Sequence, residues 1–328
     1  MLKLVILIIY FAVLIGIGLY CRKHATDVNG FVLGGRSVGP WLTAFAYGTS
    51  YFSAVVFVGY AGQFGWRYGI AATWAGIGNA IIGSLLAWVV LGRRTRIMSQ
   101  HLDSATMPQY FGKRFGSNPL KIGASVIIFI FLIPYTASLY NGLSRLFGMA
   151  FNIDYSVCII IMATLTAIYV IAGGYMATAI NDFIQGIIML FGIVAVIAAV
   201  IHSKGGFMSA LQGLANASDP AVSDTPGIFA SFFGPDPFNL LCVVILTSLG
   251  TWGLPQMVQK FYAIDNEASI QKGTVISTIF ALIVSGGCYF LGGFGRLFSD
   301  QIDVKANGFD SITVSYTHLR AHETRGNL

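Results

Sequence analysis

The chain reads as an all-α integral membrane protein, and three observations carry that reading. Charged residues make up only 10% of it and hydrophobic ones 55%, where a soluble domain carries roughly 25% charged residues. Its apolar residues gather into runs close to the ~20 residues that a helix needs to cross a bilayer. Two of those runs are broken by small, polar or helix-breaking residues. Interrupted hydrophobic segments at matching positions of two halves mark a transporter built from inverted repeats, with solute and ion between the breaks.

Eight spans are expected, at 2–20, 38–64, 70–91, 122–147, 156–172, 179–201, 238–257 and 274–298. The first opens the chain as MLKLVILIIYFAVLIGIGLY; its basic residues follow the apolar run and no small-residue cleavage site comes after it, so it is a spanning helix and not a signal peptide. The second carries AYGTSYFS at its centre, with hydroxyls on Tyr47, Thr49, Ser50, Tyr51 and Ser53. Lipid gives no reason for them; a polar cavity does. Gly48 and this run are expected to let the helix unwind and free carbonyl oxygens for a small cation. The alternative is a close helix–helix packing face.

The third span ends in the basic block GRRTR at 92–96. The loop to 121 mixes polar and apolar residues around Pro108 and is expected to hold a short amphipathic helix on the inner surface, serving as a solvated linker. The fourth span carries Pro134, Tyr135, Thr136, Ser138, Tyr140 and Asn141 and is expected to face the bundle interior. The sixth opens as AINDFIQG. Its Asp182 lies near the inner mouth, either as a helix cap or as an attractor for a cation, the reading that membrane-embedded acids favour. The loop 202–237, rich in Gly, Pro, Ser and Asp, is expected to be external and mobile. In the seventh span Gly250, Gly253 and Pro255 fall within LGTWGLPQ. Proline removes a backbone donor and clashes with the turn before it, so a second break is expected there. Ser50, Ser53, Tyr140, Thr251, Trp252 and Gln256 are the candidate solute contacts.

Orientation follows from lysine and arginine. With the N-terminus outside, eleven fall in inner loops and six in outer ones. That places the chain in the cytoplasmic membrane with an external N-terminus. The net charge of +6 arises from those loops and carries no nucleic-acid signal. The four cysteines, Cys21, Cys158, Cys242 and Cys288, are far apart and form no metal-ligand cluster. No nucleotide-binding, metalloprotease or nucleophile-elbow motif is present, so neither an enzyme nor a resident cofactor is expected. The expected partners are the bilayer, a small solute and a cation.

The motifs FVLGGRSVGP, GTSYFSAVVFVGYAG, GGYMATAINDFIQGIIM and GLPQMVQKF, in that order, together resemble the sodium:solute symporter family, nearest in wording to its pantothenate and proline members. The resemblance implies a LeuT-like fold of two inverted five-helix repeats behind one extra helix, eight of about thirteen helices falling in this chain. It implies Na+ as coupling ion, bound by the backbone carbonyls of Thr49 and Phe52 and completed by hydroxyls on a helix beyond Thr313. It makes Asp182, with Gln185, part of the sodium path. Proline symporters carry an aspartate where this chain has Tyr51, and aromatic solute contacts where it has Thr247 and Thr251, which speaks against proline itself. Sodium-coupled symport of a small carboxylate, amino acid or vitamin is the expected function; the alternative is a symporter-like sensory domain of a signalling protein. Residues 1–313 form the expected N-terminal part of the transport domain. The abruptly polar tail 314–328, beginning VSYTHLRAHET, back-translates to a sequencing adapter and is expected to be read-through and not native.

Overall fold

The computed structural model describes residues 2–53, 55–151 and 153–299. The expected read-through tail and the region around Thr313 lie outside the described residues. Within them every regular element is helical.

The first span is α1 (Leu2–Cys21). A short α2 (Val28–Leu33) follows, capped by Asp27, whose carboxylate accepts from the Gly30 amide at 3.1 Å. The second span is two pieces, α3 (Pro40–Tyr51) and α4 (Ala61–Tyr68), with a π-helical turn at Val55–Tyr60 between them. Past a reversal at Gly69, α5 (Thr73–Gly78) leads through π-helical turns over Asn79–Leu86 and Trp88–Gly92 into α6 (Arg93–His101). Then come α7 (Met107–Phe115) and the long α8 (Asn118–Phe151), which runs through Pro134.

The fifth and sixth spans are joined as α9 (Tyr155–Ser203) and separated only at Gly174, with φ 57° and ψ −150°. A side chain there would strain the backbone and meet the Phe31 carbonyl oxygen at 2.8 Å. On the opposite end of the molecule α10 (Phe207–Asn216) begins the long loop. The seventh span is again two pieces, α11 (Pro237–Leu249) and α12 (Pro255–Ala263), and the eighth is α13 (Glu267–Gly293).

Four helical runs are long and apolar enough to cross a membrane: Ala61–His101, Asn118–Ser144, Tyr155–Ser203 and Glu267–Gly293; Val5–Cys21 and Pro237–Leu249 are shorter apolar helices. The second and seventh spans fall short as single helices because each is interrupted, as expected of discontinuous transport helices.

The core forms around α13, which packs on α3, α4, α5 and α9. Gly48 takes part in this packing and not in the break. It lies buried inside α3, and a Cβ on it would stand 2.3 Å from the Phe280 ring. The unwinding expected at Gly48 therefore occurs later, after Tyr51, because the glycine is needed to admit Phe280. The fourth span packs mainly on α7 and α9; none of its most apolar stretch is buried, while Tyr135 and Ser138, in the stretch expected to face the interior, line the cavity described below.

One end of the molecule is tied by arginines. Arg36, with φ 54°, donates to the Ser99 and Ser104 carbonyls at 3.3 and 2.8 Å. Arg96, 4% exposed, donates to the carbonyls of Ile264 and Asp265 at 2.6 and 2.9 Å. Burial and the neighbouring Arg96 pull the Arg36 guanidinium below its ordinary value, and the carbonyl acceptors offset that crowding of charge. The inner loop thus holds two helices, α6 and α7, and α6 is stapled to the end of α12, where a solvated linker was expected. At the other end Arg296 stacks on Phe229 and pairs with Asp219 at 3.0 Å, while Lys204 donates to Leu297. Residues assigned to inner and outer loops by their charge therefore gather at separate ends.

Candidate functional site

Helix α3 ends because the ladder stops. Its last bond runs from the Phe52 amide to the Gly48 carbonyl at 2.8 Å, and Phe52 then turns to φ −95°, ψ 60°. Carbonyls in the final turn of a helix have no partner inside it, so the main-chain oxygens from Thr49 to Phe52 are released at this point. The second break has a different cause. The chain leaves α11 at Gly250, and Leu254 is extended (φ −68°, ψ 127°), as the residue before proline prefers; Pro255 then starts α12 at its first position.

Both breaks open onto one cavity of about 440 Å³. Ser50, Tyr51 and Ser53 line it from the first break, Thr247, Thr251 and Leu254 from the second, with Tyr289 of α13, Tyr135 and Ser138 of α8, and Asn79. Among the described residues no charged side chain lines it. Asn79, 1% exposed, is the hub. Its Oδ1 accepts from Tyr51 (3.2 Å), Thr247 (3.0 Å) and Ser248 (3.1 Å), and its Nδ2 donates to Ser285 at 3.3 Å. Tyr51 also donates to the Thr247 main-chain oxygen at 2.9 Å. The two breaks are thus linked directly through Tyr51 and Thr247, and again through Asn79. Asn79 starts a π-helical turn, a local widening often found at functional sites.

The hydroxyl run of the second span serves three purposes. Tyr47 anchors to the Gly83 carbonyl at 2.9 Å, and Tyr51 bridges to the other break. Thr49 bonds back to the Phe45 carbonyl at 2.9 Å. Ser50 and Ser53 line the cavity.

Beyond Thr49 lies Asp182. It is eight residues past the backbone break at Gly174, well inside a helix, so the capping alternative fails on position. Thr49 interacts with its carboxylate, and the rings of Tyr10, Tyr169 and Tyr175 are within its electrostatic reach. Its Oδ2 is 3.8 Å from Nζ of Lys260. Elements α1, α3, α9 and α12 therefore meet around one carboxylate.

Of the nine candidate site residues, the structure brings Ser50, Ser53 and Thr251 to the cavity, and Thr49 to Asp182. Phe52 contributes backbone at the break while its ring stacks on Tyr51 at 4.4 Å. Tyr140, Trp252 and Gln256 do not line the cavity. The Trp252 indole is committed to the Ile82 carbonyl at 3.0 Å, Tyr140 is half-buried on α8 within electrostatic reach of Tyr169, and Gln256 lies in the first turn of α12 with its amide unpaired. Asn79 and Lys260 are absent from the sequence-derived set. Asn79 gave only a polar residue in an apolar run as its signal, and Lys260 looks like one more inner-loop lysine.

A family model described as the sodium:solute symporter family matches residues 31–307. The chain belongs to the sodium:solute symporter family. An osmoregulated proline transporter of Bacillus subtilis is 28% identical over 317 residues, covering 96% of this chain and 62% of that protein. A sodium/proline symporter of Staphylococcus aureus is 28% identical over 336 residues, covering 98% and 62%. The chain thus spans 62% of the length of the curated relatives it matches. A solved Na+-coupled sialic acid symporter, in a substrate-bound outward-open state, aligns with a TM-score of 0.71 at 16% identity, over 97% of this chain and 69% of that one. The fold is LeuT-like, and this symporter-family chain is a multi-pass membrane protein.

Proposed function

We propose that the chain is the N-terminal part, residues 1–313, of a sodium-coupled symporter that carries a small organic solute across the cytoplasmic membrane, with its N-terminus external. The observation that carries this reading is the pair of helix breaks facing one uncharged polar cavity and bridged by Tyr51, Thr247 and Asn79. Released carbonyl oxygens suit a hard monovalent cation, and family membership makes that ion sodium. Sodium sits at the carbonyls of Thr49 and Phe52, on a path that includes the Asp182 carboxylate. Its binding orders the first break and so completes the solute site.

Ser50, Ser53 and Thr251 supply hydroxyls to the solute. Among the described residues the lining carries no side-chain charge. A solute carboxylate is therefore met by hydroxyls, by the break's main-chain amides and by sodium itself, and never by a fixed counter-ion. Small carboxylates, amino acids and vitamins fit this description. Proline is one candidate through the relatives' names, but Tyr51, Thr247 and Thr251 make a site of different shape and polarity.

The test is uptake into right-side-out vesicles carrying the full-length reading frame, under an imposed inward sodium gradient, with a panel of labelled solutes. The expected result is uptake of one solute class that collapses when choline replaces sodium. Uptake indifferent to sodium would overturn the reading, and solute binding without uptake would favour a sensor.

A further inference from the structure

Lys260 is the charged group buried beside Asp182, with a side chain 8% exposed against 23% for Asp182. Its ammonium faces two partners: the Asp182 carboxylate at 3.8 Å and the face of Tyr175 at 5.0 Å. At 3.8 Å this is an ion pair and not a tight hydrogen bond. The Tyr175 hydroxyl above it is itself buried and unpaired. The lysine is therefore held loosely, by charge and by the ring quadrupole, on a flexible four-carbon stem.

We infer that Lys260 is a tethered cation that competes with sodium for Asp182 and so sets the sodium affinity of the transporter. This rests on the symport reading given above. Asp182 stands between the Thr49 end of the first break, on α3, and Lys260 on α12 in the second broken helix. One carboxylate neutralises one monovalent cation. When sodium enters beside Thr49, a second unscreened positive charge on the far side of Asp182 costs energy, because buried charge without a partner is strongly unfavourable. Lys260 must then withdraw from the carboxylate, a movement that its flexible stem allows. Sodium occupancy at the first break is thereby coupled to the pairing of Lys260 on α12.

The strength of the internal cation decides the outcome. A neutral side chain leaves Asp182 free for sodium. A guanidinium, which pairs with carboxylates through two parallel donors, competes harder than the ammonium.

The experiment uses the full-length protein, purified, with Lys260→Gln and Lys260→Arg beside the parent. Sodium is titrated against choline at constant ionic strength, and equilibrium binding of sodium-22 and solute uptake are both read. Lys260→Gln is expected to lower the half-saturating sodium concentration about five-fold, and Lys260→Arg to raise it about three-fold, on the ordinary scale of coupling between two ligands of one site. Combining Lys260→Gln with Asp182→Asn removes the gain. Should Lys260→Gln fail to accumulate, the arginine variant decides alone. An unmoved half-saturation in Lys260→Arg, or both variants shifting in the same direction, overturns the inference. A parent whose uptake ignores sodium would overturn the symport reading instead, and the sodium-22 titration still reads Lys260 separately.

Discussion

The break after Phe52 and the break at Gly250–Leu254 face the same cavity, yet they are built from different chemistry. The second follows from local covalent rules: a proline fixes where α12 starts, and the residue before it is extended. The first has no proline, and the glycine nearest to it, Gly48, is buried inside an intact helix against Phe280. What ends α3 is tertiary. Tyr51 is drawn to Thr247 and Asn79, and Phe52 is buried at 1% exposure with its ring stacked on Tyr51. A break encoded locally is rigidly placed, whereas one held by long-range contacts can order or relax with its surroundings. On this account the ion acts on the first break, and the second provides the fixed counterpart.

The most severe way to disturb this relation is to remove the hub. Asn79→Leu deprives Tyr51, Thr247 and Ser248 of a shared acceptor. Tyr51 and Thr247 keep main-chain acceptors at Thr247 and Val243, while Ser248 is left unpaired; a buried donor without a partner costs about 1–3 kcal/mol, so uptake is expected to fall about ten-fold and the thermal midpoint in detergent to drop. Uptake close to that of the parent would mean that the two breaks work independently.

Gly48→Ala sharpens the comparison at the next level. If the glycine admits Phe280, the added methyl costs about 1–3 kcal/mol through overpacking, and Phe280→Leu in the same protein restores most of it. A loss of uptake that Phe280→Leu does not relieve would return Gly48 to the role of a hinge. The smallest effect is expected at Ser53. Its hydroxyl faces the cavity but is one of several; Ser53→Ala should raise the half-saturating solute concentration about two-fold and leave the sodium requirement unchanged. A shift in sodium with none in solute would move Ser53 to the ion.

This contrast also explains what was legible beforehand. The second break could be read from Gly250, Gly253 and Pro255, since their effect is local. Helix boundaries followed hydropathy closely enough that 156–172 and 179–201 lie on either side of Gly174. The first break was foreseen from Gly48 and the hydroxyl run to Ser53 and falls within that run, at Phe52; the share given to Gly48 was wrong, because a sequence does not show that Phe280, more than two hundred residues later, needs that space. Thr251 was a correct cavity contact, while Trp252 next to it turned out to be tied to Ile82. Helix periodicity gives the face of a residue, but beside an irregular break that periodicity is lost. Asn79 and Lys260 were missed for the same reason: their partners, Ser248 and Asp182, are distant in the chain. Ser99, which looks like an accessible loop position, is fully buried against Arg36. The exposed Arg114 and Ser218 are suitable sites for cysteines that label the two membrane faces.

The account's central claim is that Asp182 belongs to the sodium path at the first break, and Asp182→Asn tests it most directly. The substitution keeps size and hydrogen-bonding capacity and removes the charge. Half-saturating sodium for uptake, measured in the full-length transporter at matched expression, is expected to rise by a factor of about three to ten, with part of the maximal rate recovered by added sodium. An unchanged sodium dependence in Asp182→Asn would contradict the account and leave the Asp182–Lys260 pair as a purely structural contact.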